Sequence, residues 1–214
     1  GAIADARRLD EAEHRQALLS YNRAVADWEE SRALAVRILA GDPQAHLEAI
    51  EGLAPFAEIT GLGSSVQLIV DDGGAVEALL HVNSDVVIPS EVKSLLQSGK
   101  LSVKKMPQGQ FFDLYQDYVC GCVLRVAREL VALLPVRAVV VTAVGEVLNL
   151  STGHVEPRPI LSVAVPRPTL SRLNFNDIDP SDSLKNFVHR MSFKKGKGFE
   201  PVERLTIADL QTRV

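Results

Sequence analysis

The sequence predicts an α+β fold, in which an N-terminal helical arm precedes a mixed β-sheet packed on a long central apolar helix, with a C-terminal helix and basic extension after it. Residues 4–40 contain no proline or glycine and are rich in strong helix formers. Residues 110–134 carry apolar side chains at helical spacings and lead into a β-branched run at residues 137–144. Apolar runs at residues 65–70 and 75–82 flank a turn sequence, which is typical of paired strands.

The N-terminal helix is expected to carry one apolar seam. Its members recur at the alternating spacings of three and four residues that are typical of paired helices. They are Leu18, Tyr21, Val25 and Trp28, with Ala35 and Leu39 continuing the seam beyond a polar position at Arg32. Because the other faces of this helix are polar, the seam needs a cover. The pattern is compatible both with packing on the same domain and with pairing to a second chain.

A second helix is expected directly after the arm. Residues 41–43, Gly-Asp-Pro, combine a helix stop, a capping residue and a residue suited to the first helical position. We therefore predict a helix over residues 43–53, with Leu47 and Ile50 facing inward.

A tight hairpin and two short elements are predicted before the central helix. Residues 71–74, Asp-Asp-Gly-Gly, accept the positive φ angles of a turn between the first two strands. Ser90 is placed to cap a short helix over residues 91–97 that ends at Gly99. Residues 101–106 alternate apolar and polar side chains and include lysines, which is typical of an edge strand.

The central helix is expected to carry most of the core. Its apolar positions fall into two neighbouring rows, namely Phe111, Leu114, Tyr118, Cys122, Val126 and Leu130, and Val119, Val123, Ala127 and Leu134. A helix this apolar is covered on most of its circumference. Strands are predicted after it at residues 137–148 and 159–165, so the helix is a crossover between strands and the sheet is mixed.

The C-terminal region is predicted as a helix, a loop and a short final element. Asp179 and Pro180 are expected to open the helix. Its predicted buried face comprises Leu184, Phe187, Val188 and Met191. Residues 194–198, Lys-Lys-Gly-Lys-Gly, are predicted as a mobile basic loop, and residues 207–214 as a short helix or a disordered tail.

Charge is distributed unevenly along the chain. The formal net charge is −4, but residues 1–60 carry 6 basic against 11 acidic side chains, and residues 151–214 carry 10 against 7. The expected organisation is a helical arm over residues 1–60, an α+β core over residues 61–168 and a basic extension over residues 169–214 that packs on the core. The basic end is compatible with a docking surface for an anionic partner and with a solvated face.

The lengths of the apolar runs and the spacing of the cysteines indicate which cellular compartment to expect. No apolar run approaches the roughly 18 to 20 residues that cross a bilayer, so no membrane partner is expected. Cys120 and Cys122 point about 200° apart on a helix, which suits neither a disulfide nor a shared metal. Without a disulfide framework, a reducing compartment such as the cytoplasm is expected. Because Gly1 stands where an initiator methionine would, we expect the chain to be part of a longer protein.

No motif for a catalytic, cofactor or metal site is recognised. The chain has no phosphate-binding loop, no nucleophile elbow and no pair of histidines at ligand spacing. We therefore expect a non-catalytic interaction or assembly module. It would bind a protein partner or a second copy through the N-terminal helix, and a further partner through the basic extension. The residues expected to make these contacts are Tyr21, Trp28, Lys185, Arg190, Lys194, Lys195 and Lys197.

The alternative hypothesis is a protein that acts on nucleic acid. Between residues 43 and 144, the predicted order of helix, three strands, helix and strand is similar to the core of metal-dependent nucleases of the restriction-endonuclease type. That resemblance implies an acidic residue on one strand and Glu-x-Lys on the next, where they hold a divalent cation. The match is Glu91-Val92-Lys93, which lies in a predicted helix, and the carboxylates that would join it are Asp71, Asp72, Glu77 and Asp85.

Aromatic residues near the basic extension favour the same alternative. Phe187, Phe193 and Phe199 alternate with the lysines and arginine of this region. Phosphate contacts combined with aromatic stacking are what single-stranded nucleic acid requires. The same phenylalanines also suit a buried face.

Overall fold

The structure is a computed structural model that describes residues 1–70, 75–83 and 87–211. The helices in these residues are α1 (Ala2–Leu39), α2 (Pro43–Leu53), α3 (Ala57–Gly61), α4 (Gln108–Leu133), α5 (Arg167–Leu170), α6 (Pro180–Ser183), a 3-10 helix (Leu184–Asn186) and α7 (Ile207–Gln211). The predicted N-terminal, second and central helices are confirmed as α1, α2 and α4. In α2, Ile50 is buried as predicted, whereas Leu47 is half-buried.

Six strands form one mixed sheet. Together with β3 and β4, which pair separately, the described residues contain eight strands. They are β1 (Ser65–Val70), β2 (Val76–His81), β3 (Glu91–Leu95), β4 (Leu101–Lys105), β5 (Ala138–Leu148), β6 (Val155–Pro166), β7 (Val188–Lys194) and β8 (Gly198–Glu200). The large sheet has the order β1-β2-β5-β6-β7-β8, with β2 and β5 parallel and the other neighbours antiparallel. The mixed sheet with α4 as its crossover is therefore confirmed. The β1–β2 hairpin is also confirmed by its register, while its predicted turn at residues 71–74 lies outside the described residues.

Helix α4 packs on one face of the sheet, as predicted. Its buried side chains are Val119, Cys120, Val123, Leu124, Val126, Ala127, Leu130 and Val131. Leu114, a member of the first predicted row, is 41% exposed, so its predicted burial is wrong. Each step of four residues overshoots a full turn by about 40°, so the row drifts by roughly 160° between Leu114 and Leu130. The sheet covers only the later part of the row.

The C-terminal end of α4 is capped by a side chain from beyond β6. Arg167 donates from Nε to the carbonyl of Val136 at 2.9 Å, and from Nη2 to the carbonyls of Val131 at 2.5 Å and Leu134. Carbonyls at the end of a helix have no partner within it, so the guanidinium satisfies groups that would otherwise be unpaired. Its positive charge also lies at the negative end of the helix dipole.

The C-terminal segment, residues 201–209, covers the middle of the other face of the sheet. Leu205 is buried on this face, where it packs against β5 and β6. The hydroxyls of Thr142 and Ser162 lie buried on the same face, 2.7 Å apart. The backbone N–H of Leu205 donates to the Ser162 hydroxyl at 2.9 Å. This bond fastens the segment to the middle of the sheet.

Residues 91–97 form no helix, so that prediction is wrong. Strand β3 pairs antiparallel with β4 in a two-stranded hairpin. Gly99, which was expected to end a helix, has a φ of 76° and lies in the hairpin turn, where the Leu96 N–H donates to the Lys100 carbonyl at 2.9 Å. Pairing with β4 outweighs the single capping residue on which the helix prediction depended. The strand predicted at residues 101–106 is confirmed as β4, and in the described part of the chain it pairs with β3 and not with the six-stranded sheet.

The predicted C-terminal helix is wrong beyond its first turns. Asp179 caps α6 as expected, but one 3-10 turn follows and β7 begins at Val188. Leu184 and Phe187 are buried, whereas Val188 is 42% exposed and Met191 lies half-buried in a strand. The helical spacing was misleading because β6 offers backbone partners that hold residues 188–191 as a strand.

Candidate interaction surfaces

Helix α1 is fastened to the domain at its C-terminal end. Arg37 forms ion pairs with Asp42 and Glu48, both at 2.9 Å. Asp42 also caps α2 by accepting from two backbone N–H groups, and the Arg37 hydrogen bond is the main cause that lowers its carboxyl pKa. The Nε2 atom of His46 lies 3.2 Å from the carbonyl oxygen of Ile38. These contacts join the last turn of α1 to α2.

His46 was not singled out from the sequence. It is buried, and its Nδ1 atom has no hydrogen-bond partner in the part of the chain that the structure describes. Its spacing of three and four residues from the buried Ala49 and Ile50 is the signal that could have placed it on the inner face of α2.

The seam of α1 faces away from this attachment. Leu34 and Ile38 are half-buried, and Ile38 packs against the core. At about 100° per residue, they lie roughly 140° round the helix axis from the middle of the seam. Tyr21 and Trp28 are 66% and 62% exposed. The Arg32 guanidinium lies over the Trp28 ring, 5.8 Å from its centroid.

The basic residues expected to bind a partner lie on several elements, and most are paired within the protein. Lys185, in the 3-10 helix, contacts Asp182 at 2.6 Å. Arg190, on β7, contacts the Glu203 carboxylate at 3.4 Å and donates to the Arg204 carbonyl at 3.1 Å. Their charges are therefore partly neutralised locally.

Three of the predicted lysines lie at the turn between β7 and β8. Lys194 contacts Glu200 at 2.6 Å, and Lys195 contacts Asp113 near the start of α4 at 3.3 Å. No salt bridge of Lys197 is found among residues 1–70, 75–83 and 87–211. The segment predicted as a basic loop is thus the turn of a β-hairpin that lies beside α4.

The aromatic side chains of this hairpin pack inward. Phe199 meets Phe193 and Tyr115 edge to face, with ring centroids 5.1 Å and 5.2 Å away. Gly198 has a φ of 81°, and a Cβ atom there would stand 2.7 Å from the Phe112 ring. Only glycine allows the turn to approach α4 this closely. Phe193 and Phe199 are therefore engaged in the core, where they offer no open stacking surface.

The carboxylates of the nuclease hypothesis are not gathered in the described residues. Asp71, Asp72 and Asp85 lie outside those residues. Glu77 accepts from the backbone N–H of Ile207 at 3.0 Å and so holds the C-terminal segment. Glu91 and Lys93 lie on a strand instead of the predicted helix, but that strand belongs to the separate hairpin. No group of three or more histidine, cysteine or acidic side chains in the described chain is placed to hold a metal ion.

Both cysteines are free thiols, and Cys120 is fully buried. Burial raises the pKa of the Cys120 thiol to about 12, and the nearby carboxylates of Asp117 and Asp179 add to the effect. Because the thiolate is the reactive form, we expect a Cys122→Ser variant to resist maleimide at neutral pH while folded and to react once unfolded in urea. Mass spectrometry would measure the labelling. Reaction of the folded variant at the rate of a free thiol would contradict this assignment.

Exposed apolar side chains at the ends of two hairpins were also missed. Leu95 and Leu101 lie on the outer face of the β3–β4 hairpin, and Leu148 and Val155 lie near the turn between β5 and β6. The sequence predicts strands at residues 101–106 and 137–148, which include Leu101 and Leu148. It could not have shown which face stays uncovered, because that depends on the pairing.

Comparison with known proteins identifies no relative of this chain. No protein-family model, curated protein or solved structure matches the chain. Among the residues described, no helix has the length and apolar character needed to cross a membrane.

Proposed function

We propose that the protein is a non-catalytic interaction or assembly module, and that α1 is its docking arm, which pairs with the same helix of a second copy. The observation that carries this proposal is that no residue of this 38-residue helix is buried. A helix of that length extends for about 57 Å. Helices in proteins gain most of their stability from packing an apolar face, and the domain provides that packing only at one end of α1.

The direction of the seam supports pairing with another helix. Its side chains point away from α2, so the domain that carries α1 does not cover them. Their heptad-like spacing suits a facing helix of the same kind. In a two-fold dimer each seam would cover the other, and the same residues would be buried on both copies.

Charges placed in the seam should separate the two copies. With Tyr21→Lys and Trp28→Lys together, we expect a dimer to become a monomer in analytical ultracentrifugation, because two lysines would enter an apolar contact on each chain. Both side chains are more than 60% exposed in the single chain, so the unfolding midpoint of the domain should change little.

Leu19→Lys is the matched control for this experiment. Leu19 is 66% exposed, like Tyr21, but it lies on the opposite side of α1 from the seam. This variant should remain a dimer. If the unaltered chain sediments as a monomer at its highest soluble concentration, or if the double variant remains a dimer, pairing through α1 is excluded.

A further inference from the structure

Several turns meet at one end of the large sheet. Strands β2 and β5 are parallel, and β7 runs in the same direction as β5 because both are antiparallel to β6. The carboxyl ends of these three strands therefore share one end of the sheet. From there β5 and β7 enter the turns at residues 149–154 and 195–197. Helix α4 begins at the same end, because Asp113 near its start contacts Lys195 at 3.3 Å. Residues 91–105 lead into the start of α4 and therefore adjoin this end. We call the surface formed by residues 91–105, 145–158 and 194–200 the hairpin end.

Two hairpins project from this end. Strands β5 and β6 stay paired as far as Leu148 and Val155, four residues beyond the last β2 partner at Val144, which is about 13 Å. The β3–β4 hairpin is paired over five residues, which is about 17 Å. Its base is held where the Met106 N–H donates to the Ser90 carbonyl at 2.8 Å.

Each projecting hairpin carries an exposed apolar pair across its strands, just before the turn. Leu95 faces Leu101, and these side chains are 75% and 63% exposed. Leu148 faces Val155, and these are 52% and 60% exposed, while Leu150 in the adjacent turn is 90% exposed. Large apolar groups that reach this far into solvent at the tips of two hairpins indicate an interaction site.

The charge around the tips is mainly positive. Residues 91–105 carry four lysines against one glutamate, on a chain whose formal net charge is −4. These lysines are Lys93, Lys100, Lys104 and Lys105, and none of them forms a salt bridge among the described residues. The β7–β8 turn adds Lys197 to this end. The β5–β6 tip contributes Glu146, Glu156 and Arg158, of which the last two contact each other at 3.7 Å.

We propose that the hairpin end docks on the surface of an anionic lipid bilayer, with its leucine and valine tips at the acyl boundary and its lysines among the headgroups. A bilayer is fluid, so two separate tips can enter it without matching pockets, whereas a protein partner would have to provide a pocket for each. Lysines near an anionic surface are attracted to it and can extend towards the headgroups. Nucleic acid fits less well, because base stacking uses aromatic rings and the tips are aliphatic. Docking of this kind requires no membrane-spanning helix.

Vesicle binding tests the proposal on the 214-residue chain. The protein should co-sediment with vesicles of phosphatidylcholine and phosphatidylserine, and not with vesicles of phosphatidylcholine alone. Leu95→Ser with Leu101→Ser should lower the partition coefficient at least about tenfold, because two leucines no longer enter the apolar layer. Lys104→Ala with Lys105→Ala should lower it roughly thirtyfold, at about 1 kcal/mol for each lysine. All four side chains are exposed, so the fold should be unaffected.

The controls lie at the opposite end of the sheet. Ile69→Ser removes an apolar side chain that is 45% exposed, and Lys185→Ala removes a lysine; both variants should bind as the unaltered chain does. Three outcomes would overturn the proposal: no binding to the anionic vesicles, equal binding to neutral vesicles, or binding that survives the serine substitutions. Salt-dependent binding to single-stranded DNA without vesicle binding would assign the hairpin end to nucleic acid instead. None of these outcomes bears on the pairing of α1, which is measured without lipid.

Discussion

Replacing Leu130 by alanine should lower the free energy of unfolding by about 2 to 5 kcal/mol. Leu130 is fully buried on α4, where the helix packs on the sheet near its C-terminal end. Removing most of its side chain loses the favourable burial of the methyl groups and leaves a cavity that a closely packed core fills only in part. Urea titration followed by circular dichroism measures the change.

Leu114→Ala is the matched control on the same helix. Leu114 is 41% exposed, so the substitution should change the free energy of unfolding by about 0.5 kcal/mol or less. Equal effects at the two positions would show that α4 does not pack on the sheet through Leu130. A large effect at Leu114 alone would place the buried stripe on the other side of the helix.

Replacing Arg167 by alanine should cost about 2 to 3 kcal/mol, because three carbonyl groups around the end of α4 lose their donor. Because Arg167 is only half-buried, water can reach some of these carbonyl groups in the variant and replace part of the lost hydrogen bonding. The favourable interaction of its charge with the helix dipole is removed as well. The free energy of unfolding in urea should fall with no change in the slope of the transition.

Comparing Arg167→Lys with Arg167→Ala separates the contribution of hydrogen bonding to stability from that of the charge. Arg167→Lys keeps the charge but lacks the planar fork that reaches three acceptors, so it should recover only part of the loss. Arg172→Ala removes a nearby exposed arginine and should change the stability by about 0.5 kcal/mol or less. If Arg167→Ala is as mild as Arg172→Ala, the capping contacts contribute little to the fold.

Long elements with one dominant pattern could be predicted from the sequence. Residues 110–134 have a helical period over seven turns, and residues 137–144 are almost all small or β-branched, so α4 and β5 were placed correctly. Residues 91–97 and 184–191 are shorter, and the apolar spacing at residues 184–191 is that of a helix although β7 begins at Val188. Their partners β4 and β6 decided the outcome, and a local pattern contains no information about such partners.

The candidate surfaces were predictable to a smaller extent. The seam of α1 follows from spacing alone, but its direction depends on where Arg37 and His46 fasten the helix. The apolar tips at Leu95 and Leu148 exist only because their hairpins extend past the sheet. The extension depends on where the large sheet stops pairing with these strands, for example at the pair of His81 with Val144, which are far apart in the chain. Neither composition nor periodicity reveals that position.

The bond between the Leu205 N–H and the Ser162 hydroxyl has a consequence for biosynthesis. Residues 201–209 are translated after every strand of the described sheet, and domains fold as units while synthesis proceeds from the N-terminus. Until that segment leaves the ribosome, nothing covers the face of β5 and β6 on which Leu205 later packs. The hydroxyl pair on that face, which is buried in the finished fold, is then open to solvent. A nascent chain stalled within residues 201–209 should therefore engage chaperones. A chain released just beyond them can pack this segment on the second face of the sheet.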